Sequence, residues 1–287
     1  MPPHATLLLA EKTRNMARDE CRAIGRALGT RRGIHEGIHD ARKAIRRLRS
    51  LLALVKTRLP ETEKIDMQFE RLGDGLSSLR DAHVVIETAR SFRGSHRKRW
   101  KPAIDALSAK RDERLARLLD SDPDFLKRRA LLRRLEAQLD FVDWSKLRVP
   151  DLQDAIEASQ QRIHRAEQMA ASDPSLENTH RWRRRVRRLR FQLEALAKLS
   201  PDSVRKHSRK HPKHDPKALH KLGDALGNRR DELMLEAALK RIRGLEHRPA
   251  MLSQLLAARP KAPTPMAPKE YPETLLVPPE AERDIVG

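Results

Sequence analysis

Two segments of the 287-residue chain carry arginine at a density suited to anion chemistry. Residues 39–50 read HDARKAIRRLRS and residues 180–191 read HRWRRRVRRLRF, so the pattern His-x-x-Arg-(Lys/Arg)-x-x-Arg-Arg-Leu-Arg is written twice. At 100° per residue, His39, Arg42, Lys43 and Arg46 share one side of a helix with Arg47 and Arg49 flanking them. The opposite side holds Ile38, Ala41, Ile45, Leu48, Leu52 and Val55, a core-facing stripe. In the second segment His180, Arg183, Arg184 and Arg187, flanked by Arg188 and Arg190, lie opposite Trp182, Val186, Leu189, Leu193 and Leu196. A merely solvated face mixes signs, because Glu–Lys pairs at i,i+4 gain ~0.3–0.5 kcal/mol while like pairs lose as much. These faces mix almost none, which points to a polyanionic ligand.

Arginine suits that role, since its planar fork holds two phosphate oxygens at once and stays charged at any relevant pH. Forks at i, i+3/i+4, i+7 and i+10 span roughly 15 Å of helix. That length fits a chain of phosphates better than one small metabolite. The histidine heading each row has two readings that the sequence leaves open: donation to phosphate, or a hydrogen bond to a neighbouring helix. Near a helix N-terminus the neutral imidazole is favoured over the cation.

The whole chain is basic, with 61 Lys and Arg against 40 Asp and Glu for a net charge of +21. Self-repulsion on that scale is relieved by a partner carrying many negative charges. Residues 259–287 hold Arg259, Lys261, Lys269 and Arg283 against five acids, so the excess belongs to the body and not to a basic tail. Cys21, the only cysteine, excludes a disulfide framework and a cysteine-rich zinc site, and its stripe with Ala17, Ile24 and Leu28 reads as core. The apolar run Leu7–Ala10 is too short for a signal peptide or a membrane span. The expectation is a cytoplasmic protein without membrane contact.

Positioning these rows requires helices, and the 3.6-residue period recurs along nearly the whole chain without a convincing period-2 run. The spacing predicts helices at about 5–28, 34–58, 61–92, 97–120, 124–140, 151–171, 175–199 and 217–243, with a short one near 248–258. Asp122-Pro123, Asp173-Pro174, Ser200-Pro201 and Asp215-Pro216 mark helix starts. From Pro260 onward seven prolines and little periodicity predict a disordered tail.

A second block is also repeated: residues 72–81 read LGDGLSSLRD and residues 222–231 read LGDALGNRRD. Two blocks in the same order imply an internal duplication, each half an antiparallel helical bundle. Because the second block follows the first at a longer interval in the second half, an insertion is expected within SPDSVRKHSRKHPKHDP, as a connecting loop.

These residues resemble the CHAD family, the conserved histidine α-helical domain. The likeness covers most of residues 1–258 and rests on the two His-headed rows and on Leu72-Gly73…Arg80-Asp81 with Leu222-Gly223…Arg230-Asp231. It implies an all-α fold of two antiparallel four-helix bundles, about 1–121 and 122–258, related by a pseudo-twofold axis around a central basic groove or pore. It also implies binding of inorganic polyphosphate and targeting to polyphosphate granules. Carried over by position, the binding residues are His39, Arg42, Arg46 and Arg49 with His180, Arg183, Arg187 and Arg190. Arg47, Arg188, Lys43, Arg184, Arg71, Lys221, Arg80 and Arg230 form a second rank. The family's further acid after Arg-Asp is replaced here by His83 and Leu233. Asp81 and Asp231 read as structural, orienting arginines or capping turns. The β-barrel triphosphate tunnel domain fused to many relatives has no counterpart, so the chain reads as a stand-alone binding domain.

Two rival chemistries fit less well. Non-specific nucleic-acid binding is the alternative the charge supports, but aromatic residues are only 3% of the chain and single-strand binders stack bases on rings. A phosphoanhydride hydrolase needs carboxylates holding a divalent metal beside the phosphates, and the basic rows offer almost none. No Walker-type loop is present, so neither catalysis nor a cofactor is expected. The His207, His211 and His214 tract is interrupted by Pro212 and crowded by lysines and arginines, which disfavours a metal.

Overall fold

The computed structural model describes residues 3–30, 33–94 and 96–258, and every regular element among them is helical. Eleven α-helices follow in order: α1 Pro3–Leu28, α2 Ile34–Val55, α3 Thr62–Asp74, α4 Ser77–Arg93, α5 Arg97–Ser121, α6 Leu126–Asp140, α7 Val149–Ser172, α8 Leu176–Leu199, α9 Pro201–Lys210, α10 Pro216–Lys240 and α11 Arg248–Ala257. The proline-rich tail expected at 259–287 lies outside the described residues.

The two arginine-bearing segments become α2 and α8, and their apolar stripes decide where they sit. Ile38, Ala41, Ile45, Leu48, Leu52 and Val55 are all buried, as are Trp182, Val186, Leu189, Leu193 and Leu196. Helix α2 packs on α1 and α3, α8 packs on α7 and α10, and α2 and α8 pack on each other. Their mutual burial joins one large apolar cluster drawn from α1, α2, α3, the start of α4, α6, α7, α8 and the first half of α10. A smaller cluster joins α4, α5 and α11 to the second half of α10. There Trp100 donates to Gln254, whose amide in turn donates to the Phe92 carbonyl, both at 2.9 Å. Each cluster takes residues from before and after residue 122, so burial couples the two sequence halves.

Three elements differ from the periodicity reading. The single helix expected over 61–92 breaks into α3 and α4 around Gly75 and Leu76. Two glycines of Leu-Gly-Asp-Gly weaken the helix there. The freed carbonyls are taken by arginines, Arg42 Nη1 on Gly73 O at 2.5 Å and Arg128 Nη2 on Gly75 O at 3.2 Å. Ala225 stands at the corresponding place in Leu-Gly-Asp-Ala, and α10 runs through it unbroken. The predicted connecting loop instead contains α9, started by Ser200 with Pro201 at the first turn and stopped at His211-Pro212. Helix α8 begins after Ser175, whose hydroxyl accepts from the Asn178 N–H at 3.3 Å, rather than at Asp173-Pro174. Asp215 caps α10 as expected, accepting from the N–H groups of Lys217 and Ala218.

Helix α2 approaches α1 so closely at Gly37 that a Cβ there would lie 2.6 Å from the Ala27 carbonyl oxygen. That oxygen belongs to backbone and cannot swing aside. Gly37→Ala is therefore expected to destabilise the fold by about 1–3 kcal/mol in urea unfolding. Gly25→Ala, within α1, meets only Leu132 at an ordinary 3.5 Å and is expected to stabilise by about 0.5–1 kcal/mol.

Candidate functional site

Packing α2 against α8 turns parts of both basic rows toward common ground, joined there by the start of α4 and the middle of α10. Eight residues converge: His39, Arg42 and Arg46 of α2, Arg80 of α4, His180, Arg183 and Arg187 of α8, and Arg230 of α10. They form four pairs of corresponding positions in the two repeated blocks. Their anchoring matches as well. Arg42 donates to Gly73 O and to Ser77 Oγ, while Arg183 Nε lies 3.5 Å from Gly223 O with its guanidinium against Gly227. Gly73 and Gly223 hold corresponding places, as do Ser77 and Gly227. Gly73 lies against Ile45 and Gly223 against Val186, so the glycines let α3 and α10 close onto the arginine helices.

Several carboxylates border this cluster, and Asp81 and Asp231 reach furthest into it. Arg230 donates to Asp81 at 3.0 and 3.4 Å, tying α10 to α4, and it also lies 3.7 Å from Asp231. Asp231 is half-buried, and desolvation raises its carboxyl pKa against the opposing pull of Arg183, Arg230 and Arg80. Asp81 and Asp231 thus orient arginines, Glu87 pairs with Arg80 at 3.2 Å, and Asp74 and Asp224 bear on Arg42 and Arg183, yet this compensation is uneven across the six guanidinium groups.

The shortfall is greatest at Arg46. Burial, then the like charges of Arg187, Arg42, Arg183 and Arg80, push it from the ordinary arginine value down to about 8. Its Nε has no hydrogen-bond partner among the described residues, and neither has the Nε of Arg42. Arg187 is pushed down to about 10 by burial and by Arg183, Arg190 and Arg42. A guanidinium keeps its proton in water, so the lowering expresses uncompensated positive charge crowded around Arg46. Both histidines feel the same field. His180 is lowered to about 4 by burial, Arg230, Arg184 and Arg183, and His39 is lowered by burial, Arg80 and Arg46. Both are held neutral at pH 7.

The remaining sequence candidates stand elsewhere. Arg47 makes a two-pronged pair with Glu20, both contacts at 2.8 Å, joining α2 to α1. Arg49 is held by Asp66 and Glu70 of α3, each at 2.8 Å, against carboxylates and away from the cluster. Arg188 is half-buried beside Arg49, Asp66 and Glu70, and desolvation with the charge of Arg49 lowers it to about 10. Arg190 contacts His220 Nδ1 at 2.9 Å and covers the Phe191 ring at 4.5 Å, while its charge still reaches Arg187. Arg71 and Lys221 are exposed. Lys43 and Arg184, also exposed, sit at the edge, where their charges reach His39 and His180 respectively. His83, in place of the family's further acid, is buried and stacks on His35 with ring centroids 4.8 Å apart. The His207–His214 tract folds against α7, with His214 3.4 Å from Gln160. No group of three or more His, Cys, Asp or Glu among the described residues could hold a metal ion. Cys21 is buried, which pushes its thiol up to about 12 and leaves it inert.

Sequence reasoning did not single out Gly73, Gly223, Ser77 or Gly227 as the supports of Arg42 and Arg183. The signal was present in the repeated Leu-Gly-Asp, whose glycine supplies both the carbonyl and the close approach.

The family described as "CHAD domain" matches residues 17–240 of the chain. No curated protein matches it. Among solved structures, the crystal structure of the CHAD domain from the plant Ricinus communis is similar at 20% sequence identity. It superposes with a TM-score of 0.62 over 87% of this chain and 86% of that one, a likeness of fold.

Neighbouring arginines of α2 should therefore respond oppositely to the same change. Arg46→Met is expected to raise the stability of the ligand-free protein by roughly 1 kcal/mol or more, since an apolar chain replaces a half-buried cation whose Nε is unpaired. Arg49→Met leaves Asp66 without its partner and is expected to lower stability by roughly 1–3 kcal/mol. Thermal unfolding at low ionic strength separates the two, and destabilisation by Arg46→Met would mean that its charge is already compensated.

Proposed function

The chain belongs to the CHAD domain family, and from that membership we propose that it binds inorganic polyphosphate, without hydrolysing it, through His39, Arg42, Arg46, Arg80, His180, Arg183, Arg187 and Arg230. The observation that carries this reading is the half-buried guanidinium of Arg46, its Nε without a hydrogen-bond partner, beside four further arginines from three helices. A linear polyanion brings a charge on every phosphate and needs no base recognition, so it answers this geometry with repeated charge-assisted hydrogen bonds. With aromatic residues at 3% of the chain, stacking platforms for nucleic-acid bases are scarce.

The two halves, about 1–121 and 122–258, are read as duplicated bundles about a pseudo-twofold axis, with the arginines lining a shared central groove. Supporting this are the matched Arg42–Gly73 and Arg183–Gly223 contacts, and the packing of α2 on α8 and of α4 on α10. No helix among the described residues is long and apolar enough to cross a membrane. Association with polyphosphate granules in the cytoplasm would follow from such a groove.

Competition at physiological salt tests the partner. Polyphosphate is expected to displace labelled DNA or RNA far more effectively than either displaces polyphosphate, and nucleotides are expected to compete poorly. The reverse order would make nucleic acid the ligand. Magnesium-dependent release of phosphate from long chains by pure protein would instead make the site catalytic. Affinity should fall steeply with salt, as charge-driven binding does. Arg46→Glu with Arg187→Glu should reduce it at least ~100-fold while circular dichroism stays helical, each reversal adding repulsion on the order of 1–2 kcal/mol or more to the lost contact. Unchanged affinity would move the site.

A further inference from the structure

The two histidines of the cluster are placed differently from the chain's other buried imidazoles. His39 and His180 stand half-buried on α2 and α8, which pack on each other, each one turn ahead of the arginine held on a glycine carbonyl, Arg42 on Gly73 and Arg183 on Gly223. The charges bearing on His39 are Arg80 of α4 with Arg46, Asp40 and Lys43 of α2. Those bearing on His180 are Arg230 of α10, Arg184 and Arg183 of α8, and Asp81 of α4. Burial and the neighbouring arginines keep both rings neutral at pH 7. By contrast, His35 and His83 stack on each other beside Arg111, and the His207–His214 group lies against α7.

We propose that polyanion binding at this site takes up protons on His39 and His180, so that mild acidification tightens it; this rests on the polyphosphate reading of the same site. The charge balance makes the step natural. A phosphate chain cancels the arginine field, and each neutral imidazole then takes one proton from solvent, at most two per site. The imidazolium that results donates from both ring nitrogens, adding a charge-assisted hydrogen bond to phosphate where the neutral ring could offer only one N–H.

The sign follows from linkage. When the bound state holds more protons than the free state, affinity rises as pH falls through the bound-state pKa values and levels off below the free ones. For His180 the free value is about 4, which sets the lower edge of its window. Asp231, whose carboxyl is raised from its ordinary acidic range, would contribute from the acid side of the same window. Measurements near pH 6.5 therefore report chiefly on the histidines.

The test is isothermal titration of the full chain with long-chain polyphosphate at fixed ionic strength, between pH 5.5 and 7.5, in buffers of different ionisation enthalpy. The dependence of the observed heat on buffer gives the protons taken up. Long chains keep terminal phosphate titration small, and it is common to every variant. Net uptake is expected, and an average of about half a proton over two pH units corresponds to ~10-fold tighter binding at pH 5.5 than at 7.5. His39→Asn with His180→Asn should remove most of the uptake and flatten the pH dependence. His39→Gln with His180→Gln repeats the test with a different isostere, and His180→Gln alone should remove about half. His207→Gln, remote from the cluster, should leave the uptake as it is. Saturable binding without proton uptake would overturn the inference and leave the polyphosphate reading standing, as would uptake that survives every His39 and His180 variant or disappears in His207→Gln. Absence of saturable polyphosphate binding at every pH would overturn both.

Discussion

Helices α2 and α8 each have one apolar stripe to bury, and they bury part of it against each other. Any two helices joined in this way bring the edges of their polar faces together. Here those edges carry arginine, so the contact that stabilises the core also concentrates positive charge. Apolar burial of this extent, at about 25 cal/mol per Å², outweighs repulsion among partly hydrated cations. The fold can therefore hold an arrangement of charges that those charges alone would disperse. Arg46 marks the limit, half-buried among like charges and lacking a hydrogen bond at Nε.

Carboxylates sort the remaining arginines into different work. Glu20 takes Arg47, while Asp66 and Glu70 take Arg49, so two cations of the same row hold helices together. Asp81 takes Arg230 but leaves it within the cluster, where the pair joins α4 to α10. Position along a motif thus does not determine whether an arginine is available to a ligand. The acids that tertiary packing brings to it do, and they come from other helices.

That division explains what was legible in the sequence. Periodicity identified the buried stripes of α2 and α8 correctly because 3.6-residue spacing is a local property. It joined α3 to α4 because the break at Gly75 depends on Arg42 and Arg128 arriving from elsewhere to take carbonyls. The insertion became α9, since Ser200-Pro201 starts a helix as readily there as at other capped positions. Arg42, Arg46, Arg183 and Arg187, with Arg80 and Arg230 from the second block, lie close enough for their charges to act on one another. Arg49 equally fits the repeat, yet Asp66 and Glu70 engage it, and nothing within residues 39–50 discloses them. Gly227 and Ser77, which support the two matching arginines in different ways, were invisible for the same reason.

The most direct measurement is the thermal midpoint of the full chain with and without long-chain polyphosphate, compared with orthophosphate at equal ionic strength. If the arginine cluster is a binding site for a polyanion, a hundredfold excess over Kd should raise the midpoint by roughly 5–10 °C beyond the salt control, and Arg46→Met should largely lose that rise. A midpoint that follows ionic strength alone, or an Arg46→Met protein stabilised by polyphosphate as much as the parent, would contradict the central role of this cluster.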